Sequence, residues 1–160
     1  MTVNTPSLLL MSQTREQVLA DVELMSVEDR RQVSPQWLAL VESSLPVDPW
    51  LHGFVMTLRS DTKRVGKCGF TGPPGADGVV EIAYGVDPEF RGRGYATEAA
   101  MGLTKFAFTD PRVRIVRAHT LPHENASTHI LTKCGFTRVG ESIDHEAGIV
   151  WRWERRNETG

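Results

Sequence analysis

The chain reads Glu89-Phe90-Arg91-Gly92-Arg93-Gly94-Tyr95-Ala96-Thr97-Glu98 just after an apolar segment and just before an amphipathic one. A strand that stops, a glycine-rich turn and a helix that starts leave several backbone N–H groups unpaired at the positive end of a helix dipole. That arrangement holds anions. Gly92 and Gly94 tolerate positive φ and keep a Cβ out of the way of a diphosphate, while Arg91 and Arg93 add donors and positive charge. The expected ligand therefore carries phosphates. Two phosphate motifs do not fit: a P-loop requires Lys followed by Ser or Thr where Tyr95-Ala96-Thr97 stand, and a dinucleotide turn requires a third glycine where Thr97 stands.

Other groups with ligating chemistry are sparse. His119 and His123 are four apart, but Pro122 between them argues against the helix that would align two imidazoles on one metal, so no metal is expected. Cys68 and Cys134 form no CxxC pair and read as buried thiols rather than a disulfide or zinc site. With 160 residues, 40% hydrophobic and 24% charged, the chain is long enough for one sizeable core, and a single domain over residues 1–160 is expected. A formal net charge of -2 gives no basic field for duplex nucleic acid. Arg112, Arg114 and Arg117 offer only a weak RNA-binding alternative, since their surroundings read as a strand. The opening MTVNTPSLLLMSQ has no cationic start and only a short apolar run, so no membrane partner and a cytoplasmic location are expected.

The elements that must position the turn follow from periodicity and punctuation. Ser7 to Ser12 reads as a buried strand, and Thr14-Arg15-Glu16-Gln17 as a capping box opening a helix through Val22. Ser34-Pro35 opens a second helix to about Ser43. His52 to Leu58 and Arg64 to Phe70 form a hairpin, and Val79 to Val86 a strand stopped by Asp87-Pro88. Apolar or small residues at Ala96, Ala99, Ala100, Leu103, Phe106 and Ala107 predict a helix over Tyr95 to Phe108 packed on one face. Val113 to His119 is a strand; Asn125 or Ser127 caps a helix to Lys133, with Gly135 beyond its end. Phe136 to Gly140 and Ile149 to Glu154 finish as strands, and Arg155 to Gly160 as a frayed tail. The sum is an α/β (α+β) domain with seven strands, mostly antiparallel, and about four helices.

Within this frame Val80 to Ala99 resembles the acetyl-CoA segment of the GNAT superfamily of N-acetyltransferases, with Arg91, Gly94 and Ala96 at the signature positions. Ala118 to Pro122 and Ser127 to Phe136 resemble the branch that includes the ribosomal-protein N-terminal acetyltransferases, as do Gly69-Phe70-Thr71-Gly72-Pro73 and Val150-Trp151-Arg152-Trp153. The resemblance implies a GNAT fold: a central sheet splayed into a V between the Val79–Val86 strand and the strand after it, with acetyl-CoA in the opening as cosubstrate. It places the pyrophosphate on Arg91, Gly92, Arg93, Gly94, Tyr95, Ala96 and Thr97, and the pantetheine arm along Tyr84, Gly85 and Val86.

The implied reaction is direct acyl transfer to an amine, which must lose a proton before it attacks. A lysine side chain titrates near 10.4 and an α-amine at about 7.7 to 8.0, so a base is useful at neutral pH. The resemblance offers two carboxylates, Glu81 on the strand beside the cleft and Glu146 in the loop Asp144 to Gly148, and the choice between them stays open. It offers Ser127 as a donor to the leaving sulfur and a backbone N–H near Val86 as an oxyanion donor. Two departures from the branch stand out: Leu131 occupies the position where many members carry a Tyr acid, and Glu124 stands where Asn is usual, with Asn125 one step later as the candidate cofactor contact. An N-acetyltransferase acting on a small amine or a protein N-terminus is the first expectation. A CoA-binding regulatory or interaction module is the alternative, and both a monomer and a homodimer fit the sequence.

Overall fold

The structure, a computed structural model, describes residues 1–145 and 147–157. Alternating and apolar runs form eight strands: β1 (Thr2–Asn4), β2 (Leu8–Ser12), β3 (Phe54–Leu58), β4 (Arg64–Phe70), β5 (Val79–Val86), β6 (Ile115–Thr120), β7 (Thr137–Asp144) and β8 (Gly148–Arg156). Five α-helices connect them: α1 (Arg15–Leu24), α2 (Val27–Arg31), α3 (Pro35–Glu42), α4 (Tyr95–Phe108) and α5 (Ala126–Lys133). The strands make one sheet in the order β1-β2-β3-β4-β5-β6-β8-β7. Every neighbouring pair is antiparallel except β5 with β6, which is parallel because α4 crosses over between them.

That parallel pair is short. β5 meets β6 only at Val79–Ile115, Val80–Val116 and Glu81–Arg117, whereas its pairing with β4 runs from Ile82–Phe70 to Val86–Gly66. Beyond Glu81 and Arg117 the two strands part, and the sheet opens into the expected V.

The core lies between the sheet and α4. Val80 and Ile82 of β5 pack with Phe90, Ala99, Ala100 and Leu103, all buried. Small residues let α4 approach closely: a Cβ on Gly102 would meet Thr5, Leu10 and Val3 side-chain atoms at 3.1 to 3.4 Å. Trp50 stacks against Phe70 and Phe106 at centroid distances of 4.6 and 5.5 Å, extending this core toward the loop after α3. A carboxylate fixes the start of α4 to the other edge of the sheet. Glu98 Oε1 accepts from the Thr5 hydroxyl at 2.6 Å and from the Ser7 N–H at 2.8 Å, and it sits in the helical first turn where negative charge is favoured.

Several expectations change. Among the described residues eight strands and five helices replace the expected seven and about four. β1 has three residues, too few for a periodic signal, and is held by pairing with Leu9 to Met11. α2 is capped by the Ser26 hydroxyl but buries none of its five residues, so it has no apolar stripe to announce it. α1 extends past Val22 to Leu24. The tail expected to fray begins as strand: Arg155 and Arg156 pair with Val116 and Ile115, and Arg155 Nη1 donates to the Cys134 carbonyl at 2.8 Å. β7 continues past Gly140 to Asp144 after a register shift between Arg138 and Gly140.

Because Glu98 satisfies two donors from the β1–β2 turn, Glu98→Ala is expected to lower unfolding stability by about 1.5–3 kcal/mol, the range for hydrogen bonds to charged groups. Urea denaturation reads this directly, and Glu98→Gln, which keeps an acceptor, should cost less.

Candidate active site

The fork exposes backbone. Asp87 N–H donates to the Val65 carbonyl at 2.8 Å and Thr71 N–H to the Glu81 carbonyl at 3.0 Å, so the odd-numbered residues of β5 bond toward β4. Strand alternation then turns the N–H and C=O groups of Tyr84 and Val86 into the opening. The Val86 carbonyl is engaged there by Arg91 Nε at 3.0 Å.

On one side of the fork a groove of about 600 Å³ runs from Tyr84, Gly85 and Val86 past the start of α4 to α5. Gly94 precedes the first turn of α4 with φ +84°, and Gly92 has φ +78°. A Cβ at either would touch nothing within 4 Å, so what demands glycine is the backbone conformation, and the space left open belongs to the groove. No side chain of a described residue caps α4, which leaves the N–H groups at Tyr95, Ala96 and Thr97 available. The two arginines of the turn separate. Arg91 lines the groove, while the Arg93 guanidinium lies over the Phe90 ring at 5.8 Å, outside the lining.

Asn125 is the N-cap of α5, accepting from the Thr128 N–H at 3.0 Å, with the Thr128 hydroxyl reciprocating. Its side chain is engaged in that capping box and is not part of the groove wall; Ser127, two residues later, is. Ser127 faces the Tyr84 phenol across the groove. Burial pushes that phenol up to about 12, reinforced by nearby Cys134 and opposed by Ser127. It is therefore a neutral donor at any physiological pH.

On the other side of the sheet lies a cavity of about 460 Å³ over Ala83 and Gly85, roofed by Val18, Val22 and Trp37 from α1 and α3. Cavity and groove share Tyr84 and Gly85. At its rim Asp21 accepts from Lys67 Nζ and Gln13 Nε2, both at 3.1 Å; burial opposes ionisation, but these partners hold its carboxyl below the ordinary value. Buried His52 braces the wall: the Asp48 N–H donates to its Nδ1 at 3.0 Å, and its Nε2 lies 2.8 Å from Ser44 Oγ. Sequence reasoning singled out none of Asp21, Lys67 and His52. They come from three separate stretches, and only β-sheet register and helix docking bring them together.

Glu81, the last β5 residue paired with β6, has its Oε1 3.1 Å from His119 Nδ1 on β6. Glu146, the other carboxylate considered as a base, lies outside the described residues. Among the described residues no group of three His, Cys, Asp or Glu side chains is arranged to hold a metal.

A sheet forked between two parallel strands, with an uncapped helix N-terminus on one side and a walled cavity on the other, defines a forked α/β architecture with a binding space on each face. Residues 12–137 match the acetyltransferase (GNAT) domain model, and the chain belongs to that family. It is 25% identical over 104 residues to an uncharacterized N-acetyltransferase, p20, of Bacillus licheniformis, covering 65% of this chain and 58% of that protein. The match to the N-acetyltransferase YjdG of Bacillus subtilis is 29% over 103 residues, covering 64% and again 58%. The matched region thus spans little more than half the length of these relatives. Among solved structures, a ribosomal L7/L12 alpha-N-protein acetyltransferase, RimL, in complex with coenzyme A has the same fold, with TM-score 0.72, 14% identity and full coverage of both chains.

If backbone conformation makes the cradle, Gly94→Val should weaken acetyl-CoA binding about 5- to 30-fold, since a left-handed position costs a side chain roughly 1–2 kcal/mol. Arg93→Ala should change it little, and isothermal titration calorimetry compares the two.

Burial also raises the Cys68 thiol from 9.0 to about 12 and the Cys134 thiol in the same direction, against the pull of Arg155. Folded, these thiols and Tyr84 keep protons that the unfolded chain releases from its ordinary values of 9.0 and 10.0 upward. Unfolding stability should accordingly be fully present below pH 9 and fall as pH rises toward 12. Urea melts from pH 8 upward test this, with Cys68→Ala showing a shallower fall.

Proposed function

We propose that this chain is a cytoplasmic N-acetyltransferase that moves an acetyl group from acetyl-CoA to a primary amine, by direct attack with both substrates bound. The observation that carries this reading is the meeting of groove and cavity at Tyr84 and Gly85, on the strand whose free edge faces the fork. Two substrates bound on opposite sides of the sheet would touch only there. No helix among the described residues is long and apolar enough to cross a membrane.

The groove fits coenzyme A. Open space at the absent Cβ positions of Gly92 and Gly94, beside uncapped N–H groups, suits a pyrophosphate. Arg91, Gly92, Gly94, Tyr95, Ala96 and Thr97 would hold that group, and the free backbone of Tyr84 with the Val86 N–H the pantetheine arm, in the manner of an added strand. Acetyl-CoA supplies an acyl group activated as a thioester.

This chain's own residues handle the charges. The Val86 N–H, turned into the fork, is positioned for a developing oxyanion. Ser127, with the Tyr84 phenol behind it, offers a hydroxyl donor to a leaving sulfur, which takes the place of the Tyr that Leu131 replaces. Glu81 serves removal of the acceptor's proton. The apolar cavity with its Asp21–Lys67 rim receives the acceptor, a small amine or the N-terminus of a protein.

Incubation of purified protein with acetyl-CoA and a panel of small amines and free-N-terminus peptides tests the reading. CoA release with at least one acceptor is expected, together with stabilisation of about 2.7 kcal/mol at a hundredfold excess over Kd. Stabilisation without CoA release for any amine would favour a CoA-binding module instead. In the active protein, Ser127→Ala should lower kcat by about tenfold to a hundredfold with little change in acetyl-CoA KM, a loss at or below the usual range for proton-transfer groups.

A further inference from the structure

We infer that His119 Nε2 is the group that accepts the acceptor's proton, and that Glu81 is the positioning residue that holds His119 in the tautomer able to do so. This rests on the acetyltransferase reading above and assigns the proton path within it.

The geometry is specific to the fork. Glu81 is paired directly across from Arg117 on β6, so His119, two residues further along β6, stands on the same face where the strands have begun to part. The 3.1 Å contact between Glu81 Oε1 and His119 Nδ1 ties the two arms of the V together at their point of divergence. A carboxylate beside Nδ1 favours the tautomer that carries its proton there, which leaves Nε2 its lone pair. Nε2 has no hydrogen-bond partner among the described residues. The side chains are 27% and 33% exposed for His119 and Glu81, enough to reach water.

Both side chains also lie on the acceptor's side of the sheet. Glu81 alternates in phase with Ala83 and Gly85, which floor the cavity, and Ala83 is one strand step away, roughly 7 Å along β5. A short chain of waters spans a gap of that size, a relay open to general base catalysis.

The other charged groups facing His119 among the described residues turn toward Glu154. On β6, Arg117 is bound to Glu154 of β8 at 2.7 Å. Across from His119 on β8, Arg152 leans toward Glu154 at 3.9 Å, its buried Nε otherwise unpartnered among the described residues. Among the described residues Glu81 is therefore the one carboxylate within bonding distance of the imidazole.

The step balances simply. An acceptor ammonium gives one proton, through water, to His119 Nε2, and the nitrogen keeps the electron pair that forms the amide bond. The C–S bond breaks with its electrons to sulfur, which takes the second amine proton. Ammonium and thioester thus become amide, thiol and one proton, and that last proton is the one His119 holds, paired with Glu81, and returns to solvent.

Two readouts test this. In the uncomplexed protein, the imidazole nitrogen-15 resonances of His119 should report the Nδ1–H tautomer, and Glu81→Gln should mix the two tautomers; an Nε2–H tautomer in the unaltered protein would overturn the proposal. In turnover, His119→Ala should lose about 100-fold or more with an alkylamine acceptor, the scale of a general base, and regain activity with added imidazole. It should lose less than about tenfold with an aromatic amine already neutral at the assay pH. Equal losses with both acceptors and no rescue, in His119→Ala and in a folded His119→Gln control, would assign His119 a structural role. If the unaltered protein acetylates no amine, the enzyme reading fails first, while the tautomer measurement still judges the Glu81–His119 geometry.

Discussion

The whole site depends on a ladder that stops. β5 and β6 share three residue pairs and then diverge, leaving the strand's polar backbone facing a gap instead of a neighbour. Buried N–H and C=O groups without partners are costly, so an opening of this kind is stable only where water or a ligand can reach it. Here β4 holds the other edge of β5 along its full remaining length, and α4 packs its small residues against the same strand's apolar face. The strand at the centre of the site is thus anchored on two sides and free on the third.

Around that strand, polar side chains are assigned to separate tasks with little overlap. Arg91 closes the end of β5, Arg93 packs on an aromatic ring, Asn125 caps α5, and Glu98 anchors α4. What the groove presents is the backbone N–H groups at the start of α4, the hydroxyls of Tyr84, Tyr95, Thr97 and Ser127, and the basic side chains of Arg91 and Lys133. A site built from preoriented dipoles needs little reorganisation when charge shifts within it.

The elements nearest the chemistry were the most legible in the sequence. The change from strand to helix periodicity between Val86 and Tyr95 is punctuated by Asp87-Pro88, Gly92 and Gly94, and each has a local backbone reason to be where it is. The α5 cap was narrowed to two residues by the same logic. β1 and α2 escaped notice because short pieces owe their existence to neighbours: one to three pairs with β2, the other to a cap alone. Residue roles were less legible than elements. Arg91 and Arg93 are equivalent in the sequence and divergent in space, and His119 first drew attention beside His123 when its actual partner, Glu81, is on another strand. Register between strands distant in sequence decides such pairings, and no local pattern encodes it.

The two halves of the proposed site are written in different parts of the chain. The groove wall comes from Tyr84 onward, through α4 and α5, whereas the roof of the cavity comes from α1, α3 and the loop that follows them, all before Phe54. The segments meet only at the floor strand. Substitutions in the first fifty or so positions can therefore reshape the cavity over Ala83 and Gly85 without disturbing the groove at the start of α4. Such a division lets descendants of one scaffold diversify in one partner while inheriting the other unchanged.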